Sequence, residues 1–378
     1  MMGVILCYIF KYTKEDTMKK FIAFVVLALI LLCVGAILIK NTIDEKIHTT
    51  ASSGATRTIE PSEVLFEPTA SLTTTEGTEK TTLVSFAGDC TLGSQRDTWS
   101  NTNSFITIVG KNYSYPFAKV KSIFSKDDMT LVNLEGVFTN YNVPASKQYT
   151  FRASPDKVNI LVQGSIEAVN IANNHTMDYG QQGYDDTIAA LDSKGIVYTG
   201  DGEITTYTTS SGVKIGMVGY KFTHTSQTFA KNVQKLKDMG CDIIIFSMHW
   251  GAEGYYDPVD IQVQMAKAAI DAGADIVVGH HPHVLEKIDM YKGKYILYSM
   301  GNFCFGGNTN PTDKDTAIVQ ATFTTKGGEV EDVELNVIPC SVSGSASYNN
   351  YQPVVLDDGS AAAKRVYSKL HWSASKNK

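Results

Sequence analysis

Eight residues of the kinds that bind divalent metals stand just behind short apolar runs. Leu83-Val84-Ser85-Phe86-Ala87-Gly88 ends in Asp89, and Leu131-Val132-Asn133-Leu134 ends in Glu135. Val169-Asn170-Ile171-Ala172-Asn173 runs into Asn174-His175. Ile243 to Met248 ends in His249, and Ile276-Val277-Val278-Gly279 ends in His280-His281-Pro282-His283. Carboxylate, amide oxygen and imidazole together make a ligand set for a divalent metal. The chemistry expected of such a set is hydrolysis by metal-assisted displacement.

Each residue carries a distinct expectation. His281 and His283 flank a proline, so two imidazoles can reach neighbouring metals, with His280 as their supporting partner. Glu135 is the candidate bridging carboxylate, and Asp89 follows a glycine that permits close approach. The Asn174 amide oxygen is a metal ligand, which leaves His175 free to act as general acid, its tautomer held by Asp178. His249 follows the same strand-end placement, with Glu253 close behind it. Arg152 is a candidate for receiving a carboxylate or phosphate. Asn302, after the run Tyr295-Ile296-Leu297-Tyr298, is expected to line the crevice.

The elements that must position these residues follow from the patterning. The runs are short, rich in Val and Ile and separated by helical patterns, as buried strands of a largely parallel sheet are. Parallel strands present their carboxyl ends on one edge, where open α/β sheets bind ligands. Strands are expected at 83–89, 130–135, 168–173, 196–199, 242–248, 275–279 and 294–299. Helices are expected near 116–126, 155–162, 181–193 and 227–238, and over Asp257 to Ala272, with Asp257 as cap and Pro258 at its first position. Hairpins are expected for 205–209 with 213–220 and for 316–325 with 330–338, the second turning at Gly327-Gly328. Helical units with added hairpins predict two packed sheets flanked by helices.

Not all 378 residues belong to that globule. Phe21 to Ile39 is uncharged and long enough to cross a bilayer as a helix. Lys11, Lys14, Lys19 and Lys20 precede it, so residues 1–20 are expected in the cytoplasm and the remainder outside. Met18 resembles a natural start, which makes residues 1–17 an upstream start-site artefact on that reading. Residues 40–82 turn to Ser, Thr, Glu and Gly and are expected to be a flexible linker. Residues 83–340 form the catalytic domain, and 341–378 a C-terminal extension without an assigned role. The cysteines at 90, 241, 304 and 340 lack metal-knuckle spacing and read as single buried thiols. A formal charge of −6 argues against a nucleic-acid partner.

The stretches FAGDCTLG, LVNLEG, IANNHTMDYG, SMHWGAEGYY, GHHPHVLE and YSMGNF, in that order, resemble the CapA family of bacterial poly-γ-glutamate capsule synthesis proteins. That family in turn resembles calcineurin-like metallophosphoesterases. The resemblance implies a four-layer αββα sandwich with a site for one or two ions of Mn, Fe or Zn. Asp89, Glu135, Asn174, His249, His281 and His283 fall on its metal ligands and His175 on its catalytic histidine. Thr91 stands where the phosphoesterase motif Asp-x-His has its histidine, so one metal loses a nitrogen ligand. The implied protein is a single-pass cell-membrane protein with an extracellular hydrolase domain. It would work on capsule or another cell-surface polymer, with an anionic polymer such as poly-γ-glutamate and membrane synthase subunits as partners. Its rivals are a non-catalytic polymer-binding subunit and an extracellular phosphoesterase unrelated to capsule.

Overall fold

The computed structural model describes residues 78–377 apart from residue 223. The expected membrane span at 21–39 and nearly all of the expected linker lie outside them. Among the described residues no helix is long and apolar enough to cross a membrane.

Two sheets carry the fold. The first runs Val354–Val355, Glu329–Ser341, Asp315–Lys326, Lys80–Thr91, Met129–Leu134, Ala168–Asn170, Val197–Thr199, and Asn302–Phe305 also pairs with Lys80–Thr91. The second runs Leu285–Tyr291, Lys294–Met300, Ile276–His280, Ile243–His249, Lys214–Lys221, Ile204–Thr208. The central strands of both sheets are parallel, and antiparallel strands are added at the edges.

Alternation of side chains sorts the apolar residues into three layers of core. Val84, Phe86, Met129 and Leu131 of the first sheet meet Ile215, Ile243, Ile245, Ile276 and Val278 of the second. The outer face of the first sheet packs Val132, Leu134 and Val169 against helical segments through Phe105, Phe124, Leu161 and Leu191. The outer face of the second packs Ile244, Phe246 and Val277 against Phe229, Leu236, Met265 and Ala269 of helices Ser226–Asp238 and Asp260–Ala272. Helix, sheet, sheet, helix is the expected αββα order.

Four expectations are corrected. The segment after Cys340 is no separate extension: Val354–Val355 joins the first sheet, and Val366 and Leu370 enter the inter-sheet core. The expected helix at 116–126 is reduced to Lys121–Phe124, and the strand expected at 168–173 stops at Asn170. The helix expected from Asp257 starts at Asp260, because the Gln262 side chain accepts from the Val259 backbone amide at 2.8 Å and caps the helix there. The four cysteines of the domain are buried and unpaired, as expected.

Candidate metal centre

The same alternation that fills the core places the polar groups. In Ile243–His249 the residues Ile243 and Ile245 face the other sheet, so His249 does as well. Ile276 and Val278 likewise put His280 inward, directly opposite His249 in register. Met129 and Leu131 carry Asn133 inward, and Ala168 carries Asn170. Asp89 requires an additional device. Val84 and Phe86 face the inter-sheet core, yet Cys90 faces the outer helices. The register shifts between Phe86 and Asp89, and this bulge turns the carboxylate inward. Gly88 makes it feasible, since a Cβ there would lie 2.0 Å from the Gly301 carbonyl oxygen.

The inward polar ends converge at one edge. Imidazole and carboxylate atoms of Glu135, His281 and His283 all lie within 4.8 Å of one another. The Glu135 oxygens sit 3.8 Å from His175 Nε2, 3.7 Å from His249 Nε2 and 3.9 Å from His283 Nδ1. Asp89 Oδ2 lies 3.0 Å from His283 Nδ1, and His249 Nε2 lies 2.7 Å from Asn174 Oδ1. All six residues expected as ligands are therefore brought together. His281 and His283 reach the cluster from left-handed backbone, at φ 99° and 59°. Side chains rarely accept that conformation, and it tends to persist at functional sites.

The carboxylate side of the cluster is pinned by amides. Asn133 donates to Asp89 Oδ1 at 2.8 Å and accepts from Asn170 at 3.0 Å and Asn173 at 3.2 Å. Asn173 donates again to the Leu134 carbonyl at 2.8 Å and accepts from the His175 backbone amide at 3.0 Å. None of these three asparagines is singled out by the sequence reading as a site residue. An amide inside a buried strand is itself a signal, because it must find partners there.

His175 and Asp178 form the expected pair, with Nδ1 2.7 Å from Asp178 Oδ2. Lys147, which sequence reasoning misses, places its ammonium 2.5 Å from Asp178 Oδ1 and donates to the Asn174 carbonyl at 2.8 Å. The His175 ring also packs against Phe151, at 4.6 Å between centroids. Asn302 Oδ1 lies 3.0 Å from His283 Nδ1, and Glu253 lines the open cleft above the cluster. Arg152 is not brought in. Its guanidinium lies 3.9 Å over the Trp99 ring, donates to the Thr139 carbonyl at 3.0 Å and is sealed from solvent.

Burial and mutual charge shift the titratable groups of the cluster in different directions. Burial pushes the Glu135 carboxyl up to about 8. Burial also works to raise Asp89, but the hydrogen bond and charge of His283 win and hold it below the usual carboxylate range. Burial opposes charge on His283 as well, yet Glu135 and Asp89 raise it to about 10. Burial lowers His249, His281 and His175, and takes His280 down to about 4, so these rings keep free lone pairs. Among the described residues, neither oxygen of Glu135 nor the Nδ1 of His281 has a hydrogen-bond partner. Buried polar atoms left unpaired are costly, and a divalent cation satisfies all of them at once. The donors present fit a metal. Thr91 is also buried with its hydroxyl unpartnered among the described residues, and supplies no imidazole to the Asp89 side.

With this geometry established, the relatives are informative. The family model for bacterial capsule synthesis protein PGA_cap matches residues 83–307. The PGA biosynthesis protein CapA of Bacillus subtilis is 35% identical over 232 residues, which is 54% of this chain and 60% of that one. The capsule biosynthesis protein CapA of Bacillus anthracis is 33% identical over 258 residues, 61% of this chain and 60% of that one. A probable polyglutamine synthesis accessory protein of Mycobacterium tuberculosis is 30% identical over 226 residues, 50% and 60% of the two chains. The matches thus span 60% of the length of each of these relatives. Among solved structures, a 5'-nucleotidase precursor of Thermus thermophilus aligns with a TM-score of 0.43 and 12% identity, over 68% of this chain and 54% of that one. On the family match over residues 83–307, which contains every candidate ligand, the chain belongs to the bacterial capsule synthesis protein family PGA_cap.

Proposed function

We propose that this protein is a membrane-anchored, extracellular member of the family. It acts in the formation of a poly-γ-glutamate-type capsule or a related cell-surface polymer through a divalent-metal hydrolase site. The observation that carries the hydrolase reading is the convergence of Asp89, Glu135, Asn174, His249, His281 and His283 around a buried Glu135 whose oxygens have no protein partner among the described residues. Capsule enters through the relatives' names, and the membrane anchor through residues 21–39. An anionic polymer and membrane synthase subunits are the partners that this reading expects.

Asp89, Glu135 and His283 would hold an ion on one side, and Glu135, Asn174, His249 and His281 on the other. A divalent ion bound there supplies Lewis acidity to a scissile phosphoryl or carbonyl group. His175 would protonate the leaving group from Nε2, the nitrogen that faces Glu135. Asp178 fixes the opposite nitrogen, so the proton can be presented only toward the cluster. Lys147 balances the Asp178 charge and ties it to the Asn174 loop. Asn133 holds Asp89 in the orientation that aims one oxygen at His283.

The test is elemental analysis of the purified full-length protein after mild dialysis, with H249A and H281A alongside. One or two metals per chain in the natural protein, lost in both variants, is the expected result. Metal retained by both variants would refute the ligand assignment. A second reading, a non-catalytic polymer-binding subunit, is favoured by Thr91 in place of a histidine ligand. On that reading, cells making the Asp89→Ala/His281→Ala protein still display polymer; loss of display with the variant stably made would refute it.

A further inference from the structure

A second cavity, of about 650 Å³, opens beside the metal cleft and shares Thr312 and Asp313 with its wall. Apart from Tyr256, its lining lies beyond residue 307, where the family match ends. Helix Ala361–Lys369 forms one side, and the end of Glu329–Ser341 with Val354–Val355 forms another. Lys314, Arg365 and Lys369 stand on the lining against Asp313 and Asp315, which leaves one positive charge in excess. From Ala361 to Lys378 the chain has five lysines or arginines and no acid, in a protein of net charge −6.

The five charges of the cavity are layered. Asp315 accepts from Arg365 Nε at 2.9 Å, from Arg365 Nη2 at 2.7 Å and from Lys369 at 2.8 Å. Asp313 accepts from Lys369 at 2.7 Å and from the Tyr256 hydroxyl at 2.9 Å. The side chains of Asp315 and Asp313 are only 5% and 13% exposed, so both carboxylates are used up in the floor. The Arg365 side chain is still 59% exposed, and its Nη1 takes no part in the pair. Lys314 donates to neutral oxygens, of Asn310 at 2.8 Å and Pro311 at 3.1 Å, and no carboxylate pairs with it among the described residues. A ligand therefore meets cations first. Val354 and Leu356, both half-buried, add an aliphatic wall to the same lining.

We propose that this cavity binds an acidic chain whose carboxylates are separated by short methylene spacers. Arg365 and Lys314 receive a carboxylate by charge-assisted hydrogen bonds, Arg365 through the guanidinium edge that Asp315 leaves open. Val354 and Leu356 cover the methylenes between one carboxylate and the next. A chain held here runs beside the metal cleft along the shared Thr312–Asp313 wall, so it is gripped outside the metal cluster. The inference gives the anionic polymer of the preceding reading a place on the protein, and it rests on that reading for the identity of the chain.

Calorimetric titration of the full-length protein in chelator tests this, with tri-γ-glutamate and tripolyphosphate as probes. Chelator removes any contribution of the metal centre. Tri-γ-glutamate should bind more tightly than tripolyphosphate, which is at least as anionic but has no methylenes for the aliphatic wall. Lys314→Gln should weaken that binding about tenfold, the loss of one charge-assisted bond, without changing Tm or manganese uptake. Arg365→Lys keeps a cation beside Asp315 but loses the second edge, and should weaken binding as well. No binding in chelator, unchanged affinity in both variants, or tighter binding of tripolyphosphate would each overturn the proposal. Manganese measurements separate this from the preceding reading. Binding of tri-γ-glutamate only when manganese is loaded refutes the cavity and leaves the metal centre standing. A protein that takes up no manganese yet binds tri-γ-glutamate through Lys314 refutes the metal centre and supports the cavity.

Discussion

Replacing Glu135 with Gln should move stability in opposite directions depending on metal, and that crossing is a demanding test of the site. Glu135 is fully buried, with its oxygens 3.7–3.9 Å from three imidazoles and without a hydrogen-bond partner among the described residues. In metal-free protein above pH 8, where Glu135 is ionised, a carboxylate so placed costs on the order of 1–3 kcal/mol more than a neutral amide of the same shape. E135Q should therefore melt at or above the natural protein in chelator. A metal that binds only the folded state adds about 4 kcal/mol at a thousandfold excess over its Kd. For a domain of this size that corresponds to a rise of about 6 °C in Tm. The natural protein should show that rise with manganese, and E135Q should show less than a quarter of it, since the shared carboxylate is gone. Scanning calorimetry of both proteins in chelator and in manganese reads all four values. An E135Q protein that is less stable in chelator and still gains the full metal increment would show that Glu135 is a structural acid, and the metal assignment would fail.

Further substitutions probe what holds the cluster in place. Gly88→Ala should destabilise by on the order of 4 kcal/mol in denaturant unfolding, because its Cβ meets the Gly301 carbonyl and neither backbone can retreat; a loss under about 1 kcal/mol would refute the close approach of Gly88 to Gly301. Asn133→Ala strands Asp89, Asn170 and Asn173 together and should cost about 3 kcal/mol while weakening manganese binding, with the metal titration separating this from a simple core defect. Glu286→Gln tests a buried acid away from the metal. Burial raises the Glu286 carboxyl from 4.5 to about 7, where it accepts from Gln262 at 2.7 Å. A raised folded value means its favourable contribution is complete below pH 4.5 and is lost as pH rises through about 7. E286Q should accordingly be the more stable protein above pH 7, by up to about 3 kcal/mol, with the gap closing toward pH 4.5; a gap that does not change with pH would remove the titration from the explanation.

The strands that build the site are legible because each is a short apolar run that ends at a ligand. Ile243–His249 and Ile276–His280 lie within a residue or two of their expected positions. Leu285–Tyr291 escapes a sequence reading because Lys287 and Asp289 interrupt an edge strand whose apolar face is narrow. Asn302–Phe305 has no local signal. It is a four-residue strand that exists because it pairs with Asp89 and Thr91, which are distant in sequence. The helix start at Asp260 is displaced for a similar reason. Asp257-Pro258 carries the stronger local capping signal, but Gln262 is also held by Glu286 from a strand that the local sequence does not contain. Arg152 reads as a ligand-facing residue from its chemistry alone. Trp99 and Tyr179, which receive its guanidinium at 3.9 and 5.2 Å, are far from it in sequence.

The deeper regularity is that function here uses the same parity as folding. Every inward apolar side chain along the parallel strands contributes about 1.5–3 kcal/mol by burial, so parity cannot slip without losing the core. One more inward step along three strands, and two along Ile243–His249, puts Asn133, Asn170, His280 and His249 in the same inter-sheet gap, just where the apolar contacts end. Those positions are as rigidly placed as the core beneath them, and they are polar only because something polar must be bound or bridged there. The amide ladder from Asp89 through Asn133 to Asn170 and Asn173 bridges on one side. Glu135 and His281, left without partners among the described residues, are the groups a metal would satisfy. Asp89 is the exception that supports the rule. Its strand has the wrong parity, and the bulge beside Gly88 restores it at the cost of a glycine and a disrupted register. A chain under selection for packing alone has no reason to keep that bulge. A chain that must present a carboxylate to His283 does.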